Sequence, residues 1–201
     1  MVVAQKNNAA TRRQLIKLVQ RSSFNPISTA NNLESIVLSA LELYFWTVNK
    51  TQMILPIVAY GDVVLKKKAL EISTDYPDLK SLIANMYETM YGAFGVGLAA
   101  PQIGLSIRLF IVDTAPFAED DSFSATEKKT FKSFKKTFIN PEIVNESGAL
   151  WNFNEGCLSI PNVREDVSRK TMIKIRYQDE NFKTYTDSYK GLIARVIQHE
   201  Y

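Results

Sequence analysis

The single histidine of this 201-residue chain, His199, is followed directly by Glu200. Both lie in L-I-A-R-V-I-Q-H-E-Y (192–201), where Leu192, Ile193, Val196 and Ile197 recur at helical spacing, so the pair rides on a helix with one buried face. His-Glu on a helix is the first half of H-E-x-x-H, in which two histidines one turn apart bind a metal and the glutamate acts as general base. The sequence reaches Tyr201 two positions before the second histidine of that motif would stand.

Two other stretches carry side chains suited to the same chemistry. Residues 95–104, G-V-G-L-A-A-P-Q-I-G, hold three glycines in ten positions. Such a backbone takes positive φ or comes close to a neighbour. The spacing matches neither a dinucleotide fingerprint nor a P-loop. Gln102 is the residue of interest, because an amide on a rigid loop can donate to a developing oxyanion. In E-G-C-L-S-I-P (155–161) the chain's one cysteine, Cys157, falls on a turn, where a thiol can be a ligand or a nucleophile. Taken alone, a lone cysteine is more often a small buried hydrophobe. Glu155, two positions earlier, can orient a neighbouring ligand.

Several elements must position these groups. Ile54–Ala59 reads as a strand-like apolar run closed by a Gly61-Asp62 turn. From Asp75 to Phe94 the pattern predicts a helix, with Leu79, Leu82, Ile83, Met86 and Met90 on one face. Arg108–Val112 predicts a strand, and Asp113–Lys136 a polar surface loop with one turn of helix. Phe138–Val144 has strand character, Pro141 restricting it to an edge or bulge. Met172–Tyr177 and Phe182–Thr186 pair as a hairpin, after which Asp187 or Ser188 can cap the closing helix.

Composition limits the alternatives. With 46% hydrophobic and 22% charged residues the chain has an ordinary globular make-up. Residues 1–52 carry six Lys and Arg against two Glu, whereas residues 53–201 carry 18 basic against 19 acidic residues, so the main body offers no basic surplus for nucleic acid. One cysteine excludes an intramolecular disulfide framework and fits a reducing, cytoplasmic setting. No apolar run reaches the roughly 20 residues of a membrane span. Residues 1–33 lack Asp and Glu, and Thr11–Arg21 can form a short basic helix. Residues 1–52 are therefore expected to be an N-terminal extension outside the fold, with an organelle transit peptide or a packed helical appendage as the alternatives.

Taken together, G-V-G-L-A-A-P-Q (95–102), E-G-C-L-S (155–159) and Q-H-E (198–200) closely resemble, in order and character, the motifs of the peptide deformylases. The resemblance runs from about Met53, through L-P-I-V-A-Y-G and I-N-P-E-I, to Tyr201. It implies an α+β fold in which antiparallel strands wrap around a central C-terminal helix carrying the His-Glu pair. It implies a hydrolase that removes the formyl group from the N-terminal methionine of new proteins, near the ribosome, without binding nucleic acid or membrane itself. Carried over by motif, Cys157 and His199 become metal ligands and Glu200 the general acid/base. Gln102 and the backbone N–H of Leu158 become the oxyanion hole, Gly97 meets the substrate backbone, and Glu155 stands behind the ligands. The implied metal is ferrous iron (Fe2+), with Zn2+ or Ni2+ as substitutes.

The departure from the family falls at the metal. A catalytic site of this kind uses three protein ligands and one open position, and these 201 residues supply two. The expectation is a deformylase domain at 53–201, incomplete at its C-terminus and inactive as it stands. Two other readings remain: a non-catalytic remnant that binds peptide or nothing, and a hydrolase using Cys157 as nucleophile with His199 as its base.

Overall fold

The computed structural model describes residues 53–201; the expectations for residues 1–52 lie outside the described residues. Five antiparallel strands in the order β1-β2-β3-β4-β5 form one sheet: β1 Gly97–Ala99, β2 Leu109–Asp113, β3 Lys135–Cys157, β4 Ile160–Gln178 and β5 Thr184–Lys190. Among the described residues three α-helices accompany it: α1 Leu79–Gly92, α2 Ala125–Ser133 and α3 Gly191–Glu200.

The alternation of side chains along β2 explains the layering. Phe110 and Val112 point into a core shared with Val96, Phe138, Ile173, Ile175, Val196 and Ile197, the last two from α3. Leu109 and Ile111 point the other way, into a core with Ile83, Met86, Met90 and Leu98, the first three from α1. Successive strand residues face opposite sides of a sheet, so β2, buried along its whole length, holds one helix on each face. Phe138 fixes the α3 side, its ring 4.6 Å from that of Phe110 and 4.5 Å from that of Tyr177.

The long pair β3/β4 delivers two site residues. Its register shifts between Ile139 and Glu142, Ile143 and Asn145, Ser147 and Leu150, and Gly156 and Cys157, and it closes where Cys157 pairs with Ile160. Bulges bend a strand and increase its twist, which lets one ribbon run from the core to the site. The first bulge contains Pro141, as the sequence suggested. Asn140 there takes a left-handed backbone (φ 48°), and its amide donates to Ile72 O at 2.7 Å and Gln178 Oε1 at 2.8 Å.

Several local expectations change. Residues 53–59 form no strand. Their amides bond across the chain instead, Leu55 N–H to Thr89 Oγ1 and Val58 N–H to Gln102 O. Helix α1 begins at Leu79 behind Asp78, whose left-handed backbone (φ 51°) turns the chain into it, so the Pro77 region is not helical. The segment 114–134 contains a full helix, α2, with Ser124 and Glu127 in a reciprocal capping box, and Phe117, Phe131 and Phe134 are buried in the α3-side core. Its aromatic residues override its polar average. Strand β5 runs to Lys190, so Asp187 caps nothing; it accepts from Tyr177 and Tyr189, and Lys190 stands at the N-cap of α3.

Candidate active site

Helix α3 is buried on nearly every side: Leu192 through Gln198 and Glu200 are all buried. It therefore carries polar groups inside the molecule that need partners. His199 Nδ1 lies 2.7 Å from Glu155 Oε2. With Nδ1 committed to the carboxylate, the other ring nitrogen is the one left for the Cys157 thiol, which is hydrogen-bonded to the same imidazole. The thiol also accepts the Ser159 backbone N–H, and Gln102 Nε2 stands 3.6 Å from its sulfur.

The loop after β1 fixes Gln102. Residues Ala100–Ile103 form a 3-10 turn ending at Gly104, whose φ of 82° suits a residue without a side chain. The Ala99 N–H donates to Gln102 Oε1 at 2.8 Å, which turns Nε2 toward Cys157 and Ser159 Oγ. The orientation of the amide is thus set by the backbone of its own turn. Gly97 lies against the glutamate of α3: a Cβ there would come within 2.6 Å of Glu200 Cδ. Gly95 makes room in the same way for Leu158, whose Cδ1 would meet a Cβ at 2.9 Å. Leu158 and Ser159 form the turn that joins β3 to β4.

Glu155 is the electrostatic hub. Its side chain is 3% exposed and receives Arg195 Nη1 at 2.7 Å, Arg169 Nε at 2.9 Å and Arg169 Nη2 at 3.0 Å besides His199. Burial resists its charge, but His199, Arg169 and Arg195 together hold it well below the usual carboxylate range. Burial likewise opposes a charge on His199, yet Cys157 and Glu155 push it up to about 9. The hydrogen bond from His199 lowers the Cys157 thiol, against the effect of burial. Both shifts favour the thiolate and the imidazolium, and metal binding would displace a proton from the pair.

The motif residues Gly97, Gln102, Glu155, Cys157, Leu158, His199 and Glu200 come from three distant segments and meet at one place. Sequence reasoning missed Arg169, Arg195 and Ser159. Arg195 had a signal, being a lone cation in the apolar face L-I-A-R-V-I, where burial demands a carboxylate. Arg169 had none, because only the β3/β4 register sets it opposite Trp151 and near Glu155.

As a donor set, thiolate and imidazole suit iron or zinc, and the locked Nδ1 is the usual arrangement of a metal-binding histidine. The residues fit a metal as a pair. Among the described residues no group of three His, Cys, Asp or Glu side chains is gathered for one. Nor, among those residues, is any helix long and apolar enough to cross a membrane.

An antiparallel sheet built on a buried His-Glu helix, with a cysteine and an amide donor beside it, defines the chain as an α+β hydrolase. The chain belongs to the polypeptide deformylase family, whose model matches residues 54–201. It is 62% identical over 149 residues to the peptide deformylase of Flavobacterium johnsoniae, covering 74% of this chain and 76% of the relative. It is 63% identical over 149 residues to that of Flavobacterium psychrophilum, covering 74% and 77%. Among solved structures, it is similar to a peptide deformylase from Synechococcus elongatus in complex with actinonin, with TM-score 0.64, 37% identity and 75% of each chain covered. That of Thermotoga maritima gives TM-score 0.63 and 35% identity, covering 73% of this chain and 88% of the other. The family is metal-dependent.

Proposed function

We propose that this site removes the N-formyl group from the N-terminal methionine of newly synthesised proteins, in the cytoplasm and close to the ribosome. The observation that carries this is the convergence of Cys157, His199, Glu200 and Gln102 at one point. In this reading Cys157 Sγ and the ring nitrogen of His199 turned away from Glu155 hold the metal, Fe2+ with Zn2+ or Ni2+ as substitutes. When bound, the metal supplies Lewis acidity, making water nucleophilic near pH 7 and polarising the formyl carbonyl.

The remaining steps belong to side chains and backbone. Glu200 takes the proton of the attacking water and passes it to the leaving amine. Gln102 Nε2 and the Leu158 N–H donate to the oxyanion, each worth about 3 kcal/mol in the transition state. Gly97 begins β1, an edge strand of the sheet, and an extended peptide can bind by pairing with such an edge. The family match begins at residue 54, so residues 1–52 are read as an N-terminal extension of the domain.

A polypeptide of these 201 residues offers two protein ligands where three are usual. Such a polypeptide is expected to hold metal loosely and to be inactive or nearly so. Formate release from a formyl-methionyl-alanyl peptide, assayed anaerobically with added Fe2+, tests the reading. The expected result is slow release that a strong chelator and Glu200→Gln both abolish. Turnover matching that of intact relatives would overturn the claim of poor turnover, and peptide binding without metal-dependent release would leave a remnant. The direct thiol–imidazole contact supports a second reading, a cysteine hydrolase. Hydrolysis that survives the chelator but stops on alkylation of Cys157 would establish it instead.

A further inference from the structure

Arg195 and His199 stand four residues apart on α3, so they share one face of the helix. Both grip the carboxylate of Glu155, Arg195 Nη1 at Oε1 and His199 Nδ1 at Oε2, each at 2.7 Å. Arg195 is 1% exposed, and its guanidinium also donates to Val167 O at 2.9 Å and to Trp151 O. Its Cζ lies 4.6 Å from the centre of the Trp151 ring and 5.5 Å from that of Phe153. The guanidinium is thus fixed on three sides, by β3, by β4 and by an aromatic face. Arg195 pins Oε1 of Glu155 through one nitrogen of a guanidinium that is itself held, while Arg169 takes both carboxylate oxygens.

We infer that Arg195 is a positioning residue: together with Arg169 it sets the rotation of Glu155, and through Oε2 the ring plane of His199, so that the opposite ring nitrogen faces the Cys157 sulfur. Arg169 alone does not fix this. It takes both oxygens of Glu155 and its Nη1 reaches Gln198 O at 3.2 Å, but its side chain is 25% exposed against 1% for Arg195. Arg195 belongs to the helix that carries His199, so the clamp ties ring and carboxylate into one unit across the α3–β3 contact. The metal-binding consequence rests on the deformylase reading above; the effect on the imidazole does not.

The sole histidine makes the test direct, because the imidazole gives one set of nuclear magnetic resonance signals. In the metal-free chain at fixed pH, the Nδ1 proton of His199 is expected as a downfield signal sheltered from exchange by Glu155. In Arg195→Met that signal is expected to be lost to exchange, and Zn2+ affinity, by competition with a chromophoric chelator, to fall about 10- to 100-fold. Arg195→Lys keeps a cation beside Glu155 without the guanidinium's bonds to Val167 O and Trp151 O, so partial return of both readouts is expected. Should the Met variant fail to fold, the comparison of wild type with Arg195→Lys carries the test, with a weakened Nδ1 signal expected in the lysine chain. A folded variant with the Nδ1 signal intact, or with the signal lost and Zn2+ affinity unchanged, overturns the inference. Wild type that binds no Zn2+ speaks against the deformylase reading, and the Nδ1 signal then decides the role of Arg195.

Discussion

Gly97 and Glu200 occupy one space: a Cβ on the glycine would lie 2.6 Å from the glutamate's Cδ and 2.7 Å from its Cγ. Both distances are shorter than any real Cβ contact, so a side chain at 97 must displace the carboxylate. The glycine that by resemblance meets the substrate backbone also bounds where the proton-transfer group of the proposed reaction sits.

Gly97→Ala is expected to destabilise the chain by about 1–3 kcal/mol, the range for overpacking a filled site. Combining it with Glu200→Ala, which deletes every atom of the clash, should recover most of that loss. Urea denaturation of the four chains in a double-mutant cycle measures the coupling. Purely additive effects would mean that the glycine serves another purpose.

The lowered thiol of Cys157 gives a reactivity prediction. Thiolate is the reactive form, and its fraction persists below the ordinary thiol value of about 8.5. Iodoacetamide should alkylate Cys157 at pH values where a free cysteine is slow. His199→Ala, which removes the largest stabilising contact on the thiolate, should move the rate profile to higher pH. Added Zn2+ should slow alkylation of the wild-type chain, and chelator should restore it.

Asp187 makes one part of the stability acid-sensitive. Burial raises its pKa, but hydrogen bonds from Tyr177, Tyr189 and Lys136 lower it further than burial raises it. A carboxyl depressed in the folded state contributes stability above its ordinary value of about 3.9, and that contribution is lost as pH falls through the lower folded value. Asp187→Asn should therefore reduce stability at neutral pH and flatten the decline between about pH 4 and the acid limit, read by thermal melts across that range.

Phe138 should be a stability residue with no chemical role. It is fully buried, stacked on Phe110 and packed against Tyr177. Phe138→Ala is expected to cost about 3–5 kcal/mol in denaturant unfolding. Below the transition, the alkylation profile of Cys157 should remain that of the wild type, since the ring packs on Phe110, Tyr177 and Tyr189.

The residues that meet at the candidate site were legible in the sequence because they stand out by residue type at short range. His-Glu on an amphipathic helix, a cysteine after Glu-Gly, and an amide in a glycine-rich turn are each local patterns. Their order identified the family, and the ends of α1 and the bulge at Pro141 followed from local backbone preferences to within a few residues. Length and burial were not local. The run 114–134 reads as polar surface, yet three of its phenylalanines fill the core under α3, because burial is decided by what packs above a segment. The apolar run before Tyr60 reads as a strand, but it joins no strand ladder, and its amides and that of Tyr60 bond to Thr89 Oγ1, Gln102 O and Ser159 O instead. Above all, the tertiary structure decided that Glu155 holds His199 and that Arg195 and Arg169 hold Glu155. Those contacts join residues 14 to 44 positions apart. Ion pairs inside a protein are selected by the register of β3 on β4 and the docking of α3, and neither is written in the spacing of the charges.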